Sequence, residues 1–176
     1  MPEQGSGHFT VADGRSKAVG HGELVTYSVE VEAGLPISPE ALTRVVDKVV
    51  GDARGWTGVS GHSFQRVAMN PDFRIRLATP RMTDALCSPL ETAGRLSCRN
   101  GEYVVLNGWR WENGATSYNG QITDYRRYMI NHEFGHALGF GHRTCPHPGA
   151  PAPVMLQQTK GLDGCLANPW PAITSG

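Results

Sequence analysis

No stretch of this 176-residue chain approaches the roughly 18 consecutive apolar residues that a membrane-crossing helix needs, so no span is expected in it. Net charge is missing too. Sixteen basic side chains cancel sixteen acidic ones, which leaves no overall field to attract a phosphate backbone or an anionic bilayer, and nucleic acid is not an expected partner. The opening residues, MPEQGSGHFTV, lack the basic head and apolar run of an export signal; either the protein is cytosolic or an export segment is absent from this sequence. Internal repeats, blocks of like charge and a Gly- or Pro-rich linker are all lacking. That points to one compact domain over residues 1–176, whose 39% hydrophobic content suffices for a core. A G-x-S-x-G elbow for a serine nucleophile, a Gly-rich phosphate cradle with its Lys, and a calcium loop are absent as well.

Cysteine is scarce but informative. The chain has four, none in the C-x-x-C spacing of a zinc knuckle or redox motif. Cys87 and Cys98 flank the polar stretch SPLETAGRLS, while Cys145 and Cys165 bracket the segment holding PAPVM. Of the three pairings that four cysteines allow, sequential closure (Cys87–Cys98 and Cys145–Cys165) is favoured, because each bridge then pins a loop rich in Pro and Gly and contributes roughly 3 kcal/mol. Four buried free thiols are the alternative. Two bridges imply an oxidising compartment and hence a secreted or cell-surface protein.

In ELVTYSVEVEA, Val25, Tyr27, Val29 and Val31 alternate with Thr26, Ser28, Glu30 and Glu32, the period of a strand with one buried face. SPEALTRVVDKVVGD places Ser38 at an N-cap, Pro39 at N1, and Leu42, Val45, Val46, Val49 and Val50 at helical spacing, an amphipathic helix for packing on a sheet. SFQRVAM, FRIRLAT and EYVVLN read as further strands, with Phe73, Ile75 and Leu77 opposite Arg74 and Arg76 in the second, and a turn at Asn70-Pro71-Asp72. GWRWENGATSYNG is too rich in Gly and Asn to be regular. A second helix is expected over Thr123–Leu138. Beyond Gly139 the prolines of CPHPGAPAP and NPWPAITSG predict an irregular end held by covalent and metal links. The order predicts an α+β fold, a mixed sheet with two helices.

Three of the seven histidines fall within NHEFGHALGFGH, residues 131 to 142. On a helix His132 and His136 differ by about 40° in direction and about 6 Å along the axis, so two imidazoles can share one ion. Glu133, about 100° round from His132, suits a base that takes a proton from a water acidified by zinc. His142 would face away if the helix continued. A glycine at 139 can adopt positive φ, end the helix and swing Phe140, Gly141 and His142 back under the ion. The residues thus predict a Zn2+ site of His132, His136 and His142 with water in the fourth position, and Glu133 as the catalytic residue. His8, His21, His62 and His147 stand at no ligand spacing, although His147 lies near the site.

The run HEFGHALGFGH resembles the extended zinc motif of the metzincin metallopeptidases at every defined position. Pro153-Val154-Met155, ending thirteen residues past His142, is similar to that clan's methionine turn, which would make Met155 an apolar floor beneath the imidazoles. The wider sequence, with SFQRV, RWENG, NHEFGHALGFGH, APVM and NPWP, resembles a family of actinobacterial exported domains of unknown function. What the resemblance implies is a metzincin-like zincin. It would have a twisted mixed sheet with a backing helix and an active-site helix, an upper subdomain of about residues 1–139 and a small irregular lower one of about 140–176. Two departures are plain: Arg143 follows the third histidine, where better known families carry Glu, Ser, Asp or Pro, and Gln157 stands where astacin-like enzymes place an oxyanion-binding tyrosine. Gln157 could donate the same hydrogen bond through its amide.

The expectation is therefore a monomeric zinc endopeptidase acting on a peptide or protein substrate. Two alternatives stand beside it: a zinc-stabilised, non-catalytic binding module, and a zinc amidase acting on cell-wall or acetylated substrates.

Overall fold

The computed structural model describes residues 1–174. Its α+β fold is built on a mixed seven-stranded sheet with five α-helices among the described residues. The central strand is β3 (Glu23–Glu32), flanked in parallel by β4 (His62–Arg66) along Glu23–Tyr27 and by β5 (Phe73–Ala78) along Tyr27–Val31. Where β4 ends, β1 (Phe9–Val11) takes up the same edge of β3 in antiparallel sense. Outside β4 lies β2 (Val19–Gly20), antiparallel. Beyond β5 come β7 (Tyr103–Asn107), parallel to it, and β6 (Cys98–Asn100), which runs antiparallel to β7 and ends the sheet. Asp72, in the predicted turn, accepts hydrogen bonds from the Thr26 amide and hydroxyl, both at 2.7 Å, and so ties the β4–β5 connection to β3.

Helix α1 (Pro39–Val50) forms as its sequence predicts, with the Ser38 hydroxyl accepting from the Ala41 amide and Pro39 in the first turn. It and α5 (Ile122–Ala137) pack together on one face of the sheet. There Tyr27, Val29, Val31, Phe64, Ile75 and Leu77 meet Leu42, Val46, Ile130 and Phe134 in the main core. The helix expected over Thr123–Leu138 thus starts and ends one residue earlier, with Leu138 as its C-cap.

Two expectations need correcting. The chain carries three further helices, α2 (Trp56–Val59), α3 (Pro80–Cys87) and α4 (Gly108–Asn113), beyond the two predicted. The stretch expected to be irregular holds α4 and a 3-10 turn at Thr116–Tyr118; the Asn107 side-chain Oδ1 caps α4 by accepting from the Arg110 amide at 3.1 Å, which offsets the poor helix propensity of Gly and Asn. Both faces of β3 are buried rather than one. Glu30 and Glu32 face away from the main core yet are 1% and 0% exposed. Glu30 pairs with Arg74 and Arg76, and Glu32 accepts from the Gly7 and Thr79 amides. On that side α3 and Phe9 cover the sheet beside the Cys87–Cys98 bridge. Both disulfides pair as expected, and no free cysteine remains. Residues 138–174 are largely irregular, as the prolines predict.

Candidate metal centre

The site begins where α5 ends. Gly139 has φ +90°, its amide donates to the His136 carbonyl at 3.1 Å, and the Phe140 amide donates to the Gly135 carbonyl at 3.0 Å. This crossed pair of bonds is the Schellman closure, and it turns the chain back across the helix end. The Phe140 ring then stacks on Trp56 with centroids 4.5 Å apart, and the Arg143 amide donates to the Met155 carbonyl at 3.0 Å. His142, which a continued helix would have directed away, is thereby delivered to the other two histidines.

His132, His136 and His142 offer ligand atoms that all lie within 4.8 Å of one another, and the Nε2 atoms of His136 and His142 are 3.1 Å apart. Two of the rings are oriented by backbone carbonyls: His132 Nδ1 lies 2.8 Å from the Val154 oxygen and His136 Nδ1 2.8 Å from the Phe140 oxygen. A carbonyl accepts only, so each Nδ1 carries the proton and each Nε2 keeps its lone pair for the shared centre. Burial pushes the pKa of His132 down to about 3, and burial also lowers those of His136 and His142, with the mutual approach of the rings contributing at His142. Neutral imidazoles with converging lone pairs are what a metal ion requires of histidine, so the triad could hold one.

Glu133 sits at the same place on α5, 6% exposed, with no cationic side chain or hydrogen-bond donor of another described residue at its carboxylate, and burial raises its pKa to about 8. Beneath the helix, Gly135 is required by packing. A Cβ there would lie 2.5 Å from the Met155 sulfur and 2.5 Å from the Trp56 ring. Met155 is buried in the main core.

The triad and Glu133 open onto a cleft of about 440 Å³, bounded by the Leu90–Arg99 segment on one side and by Gln157, Thr159 and Lys160 on another. Tyr128, one helical turn before His132, also lines it. Its hydroxyl is committed, donating to the Leu156 carbonyl at 3.0 Å and accepting from the Gln158 amide at 2.9 Å. Gln157 reaches the cleft with no side-chain hydrogen bond to another described residue. His8, His21, His62 and His147 take no part in the cluster.

Apart from Gln157, sequence reasoning did not single out the cleft wall. Tyr128 was findable, since position i−4 from His132 puts it on the same helix face. Nothing in the local pattern marks Arg99 or Lys160. No described helix is long and apolar enough to cross a membrane, and the two disulfides fit an extracellular protein.

Residues 1–171 match a family described as Protein of unknown function (DUF3152). No curated protein and no solved structure matches the chain.

Proposed function

The chain belongs to the DUF3152 family, and from that premise and the geometry of its site we propose that it is a zinc-dependent endopeptidase of metzincin type. One observation carries the reading: three neutral imidazoles converge at a cleft with a buried carboxylate, Glu133, on the same helical turn as the first of them. Three nitrogen donors beside an open cleft fit a catalytic zinc, which leaves one position for water or substrate, better than a closed structural one. When bound, zinc would supply a Lewis acid that polarises a carbonyl and brings the acidity of water near neutrality, and its charge would favour the ionised form of Glu133.

The chain's own residues do the rest. Val154 and Phe140 hold the His132 and His136 rings in their Nδ1–H tautomers. A carboxylate oxygen of Glu133 takes a proton from the attacking water and passes it to the leaving amide nitrogen. The Gln157 side-chain amide, otherwise unbonded, donates to the carbonyl oxygen as charge develops there. Strand β6 is the last of its sheet, and Cys98 and Arg99 border the cleft, so an extended peptide can pair along this edge. In this reading the chain is one metallopeptidase domain, with the cleft between an upper part to about residue 139 and a lower part from about 140.

The test is cleavage of a peptide library by zinc-loaded wild type and Glu133→Gln. The reading expects the variant to keep the metal and lose turnover by about a hundredfold or more. A wild type that binds zinc and cleaves no peptide, but binds a partner equally well with either residue at 133, would mean a binding module. Release of acetate or of wall fragments instead of peptides would mean an amidase.

A further inference from the structure

The cleft carries charges that the hydrolytic machinery does not use. Four charged side chains line it besides the histidines: Glu91, Arg99, Glu133 and Lys160. Glu133 is buried, whereas Glu91, Arg99 and Lys160 are all exposed. Most arginines of this protein are engaged, for example Arg66 with Asp47, and Arg74 and Arg76 with Glu30. Arg99 and Lys160 differ. Neither side chain forms an ion pair or a hydrogen bond with another described residue.

Their placement follows from the fold. In β6 the side chains alternate: Cys98 joins Cys87 on the α3 side of the sheet, and Asn100 donates on that same side to the Leu86 and Ser88 carbonyls at 2.9 and 3.0 Å. Arg99 must then project to the α5 side, where its guanidinium carbon lies 6.0 Å from the Phe73 ring centroid. Lys160 comes from the loop after Met155, its amide bonded to the Gln157 carbonyl. Both cations thus line the cleft onto which His136 and His142 open.

We propose that Arg99 and Lys160 recognise a substrate carboxylate, so that the site selects peptides carrying a negative charge beside the scissile amide. This rests on the peptidase reading of the site and names its substrate class. An acidic side chain and a free chain end supply the same carboxylate. Unpaired cations within a cleft lose little to internal partners when a carboxylate arrives, whereas a basic peptide meets repulsion from both.

Two measurements test this. The first compares kcat/KM of zinc-loaded wild type for peptides with Glu, Gln or Lys on either side of one cleavable bond, each with a free or an amidated C-terminus. The second measures equilibrium binding of the same peptides to metal-free protein by fluorescence anisotropy, which needs no turnover. The inference expects Glu over Gln by about fivefold in both, declining as salt is raised. Arg99→Gln with Lys160→Gln erases the preference, and Arg99→Glu with Lys160→Glu favours Lys peptides. Arg44→Gln, an exposed change outside the cleft lining, leaves the preference in place. A preference that follows the free C-terminus identifies a chain end as the carboxylate; one that follows Glu identifies a side chain. Cleavage without charge preference, or equal binding of Glu and Gln peptides, overturns the inference. Discrimination in binding with no cleavage of any peptide keeps carboxylate recognition and ends the peptidase reading instead.

Discussion

His132 donates its Nδ1 proton to the carbonyl oxygen of Val154 across 2.8 Å, so the residue before Met155 fixes the first ring of the histidine cluster. The second ring is fixed the same way by Phe140. Both acceptors are backbone atoms of segments that follow the helix in sequence, which means that the cluster cannot assemble before the chain has returned past it. Closure of the region from 140 onward therefore prepares the metal site, and a bound metal would favour the closed fold.

Zinc should accordingly stabilise the whole fold rather than a loop. At free metal about a thousandfold above its dissociation constant, linkage gives about 4 kcal/mol, read as a rise in melting temperature that a chelator reverses. Replacing His132, His136 or His142 by Ala should remove most of that rise. An unchanged melt on saturating wild type with zinc would count against the triad as a metal site.

The buried carboxyl of Glu133 predicts an opposite effect in the metal-free protein. Its pKa is raised from 4.5 to about 8 by burial, so the stability it contributes is fully present below pH 4.5 and is lost as pH rises through 8. Gln has the same shape and no charge to desolvate. Metal-free Glu133→Gln should therefore equal wild type near pH 4.5 and exceed it at pH 8 by on the order of 3 kcal/mol in urea unfolding. Parallel pH profiles for the two proteins would show that the carboxyl is not held in a dry site. His132 contributes to the acid limit in both proteins. Its pKa is lowered from 6.5 to about 3, so stability is lost as pH falls from 6.5 through 3.

Gly139 and Gly135 fail for different reasons when replaced by Ala. At Gly139, φ +90° costs an L side chain about 1–2 kcal/mol although nothing lies within 4 Å of the added carbon. The turn that returns His142 loosens, and zinc affinity should fall with stability. At Gly135 the backbone is an ordinary helix, but the new carbon collides with Met155 and Trp56, an overpacking cost of about 1–3 kcal/mol. Trimming Trp56 or Met155 in the same chain should partly restore Gly135→Ala and should do nothing for Gly139→Ala, a contrast that thermal melts can read directly.

Much of this site was legible because it is local. Helix periodicity pairs His132 with His136, and one glycine dictates the reversal that brings His142, so the residues within NHEFGHALGFGH suffice to place all three. What was not legible depends on partners distant in sequence. Glu30 and Glu32 alternate with Val29 and Val31 and look like a solvent face, because a two-residue period reports polarity and not exposure; Arg74, Arg76, the Ser28 hydroxyl and the Gly7 and Thr79 amides make their burial tolerable. Gln157 and Gln158 are adjacent and chemically identical, yet the first lines the cleft and the second is 0% exposed.

That second glutamine supplies the strongest stability prediction. Gln158 Oε1 accepts from the Tyr118 hydroxyl at 2.9 Å and from the Asn168 amide at 3.0 Å. Its Nε2 donates to the Pro153 and Asn168 carbonyls at 3.1 and 2.8 Å. One buried amide thereby joins the turn before α5, the segment carrying Val154 and Met155, and the chain near Trp170. Gln158→Leu fills similar volume but strands two donors and one acceptor, since the Pro153 carbonyl keeps the Leu156 amide, at about 1–3 kcal/mol for each group left unsatisfied. Gln158→Glu retains both acceptor contacts, loses both donated bonds and adds a charge. Both variants should be severely destabilised, and because Pro153 precedes the carbonyl that orients His132, whatever protein still folds should bind zinc more weakly than wild type. Gln157→Leu, one residue away, should leave the melting temperature within a degree or two of wild type and lower kcat instead. If the two leucine variants melted alike, burial at 158 would not be what holds the segment beneath the histidines in place.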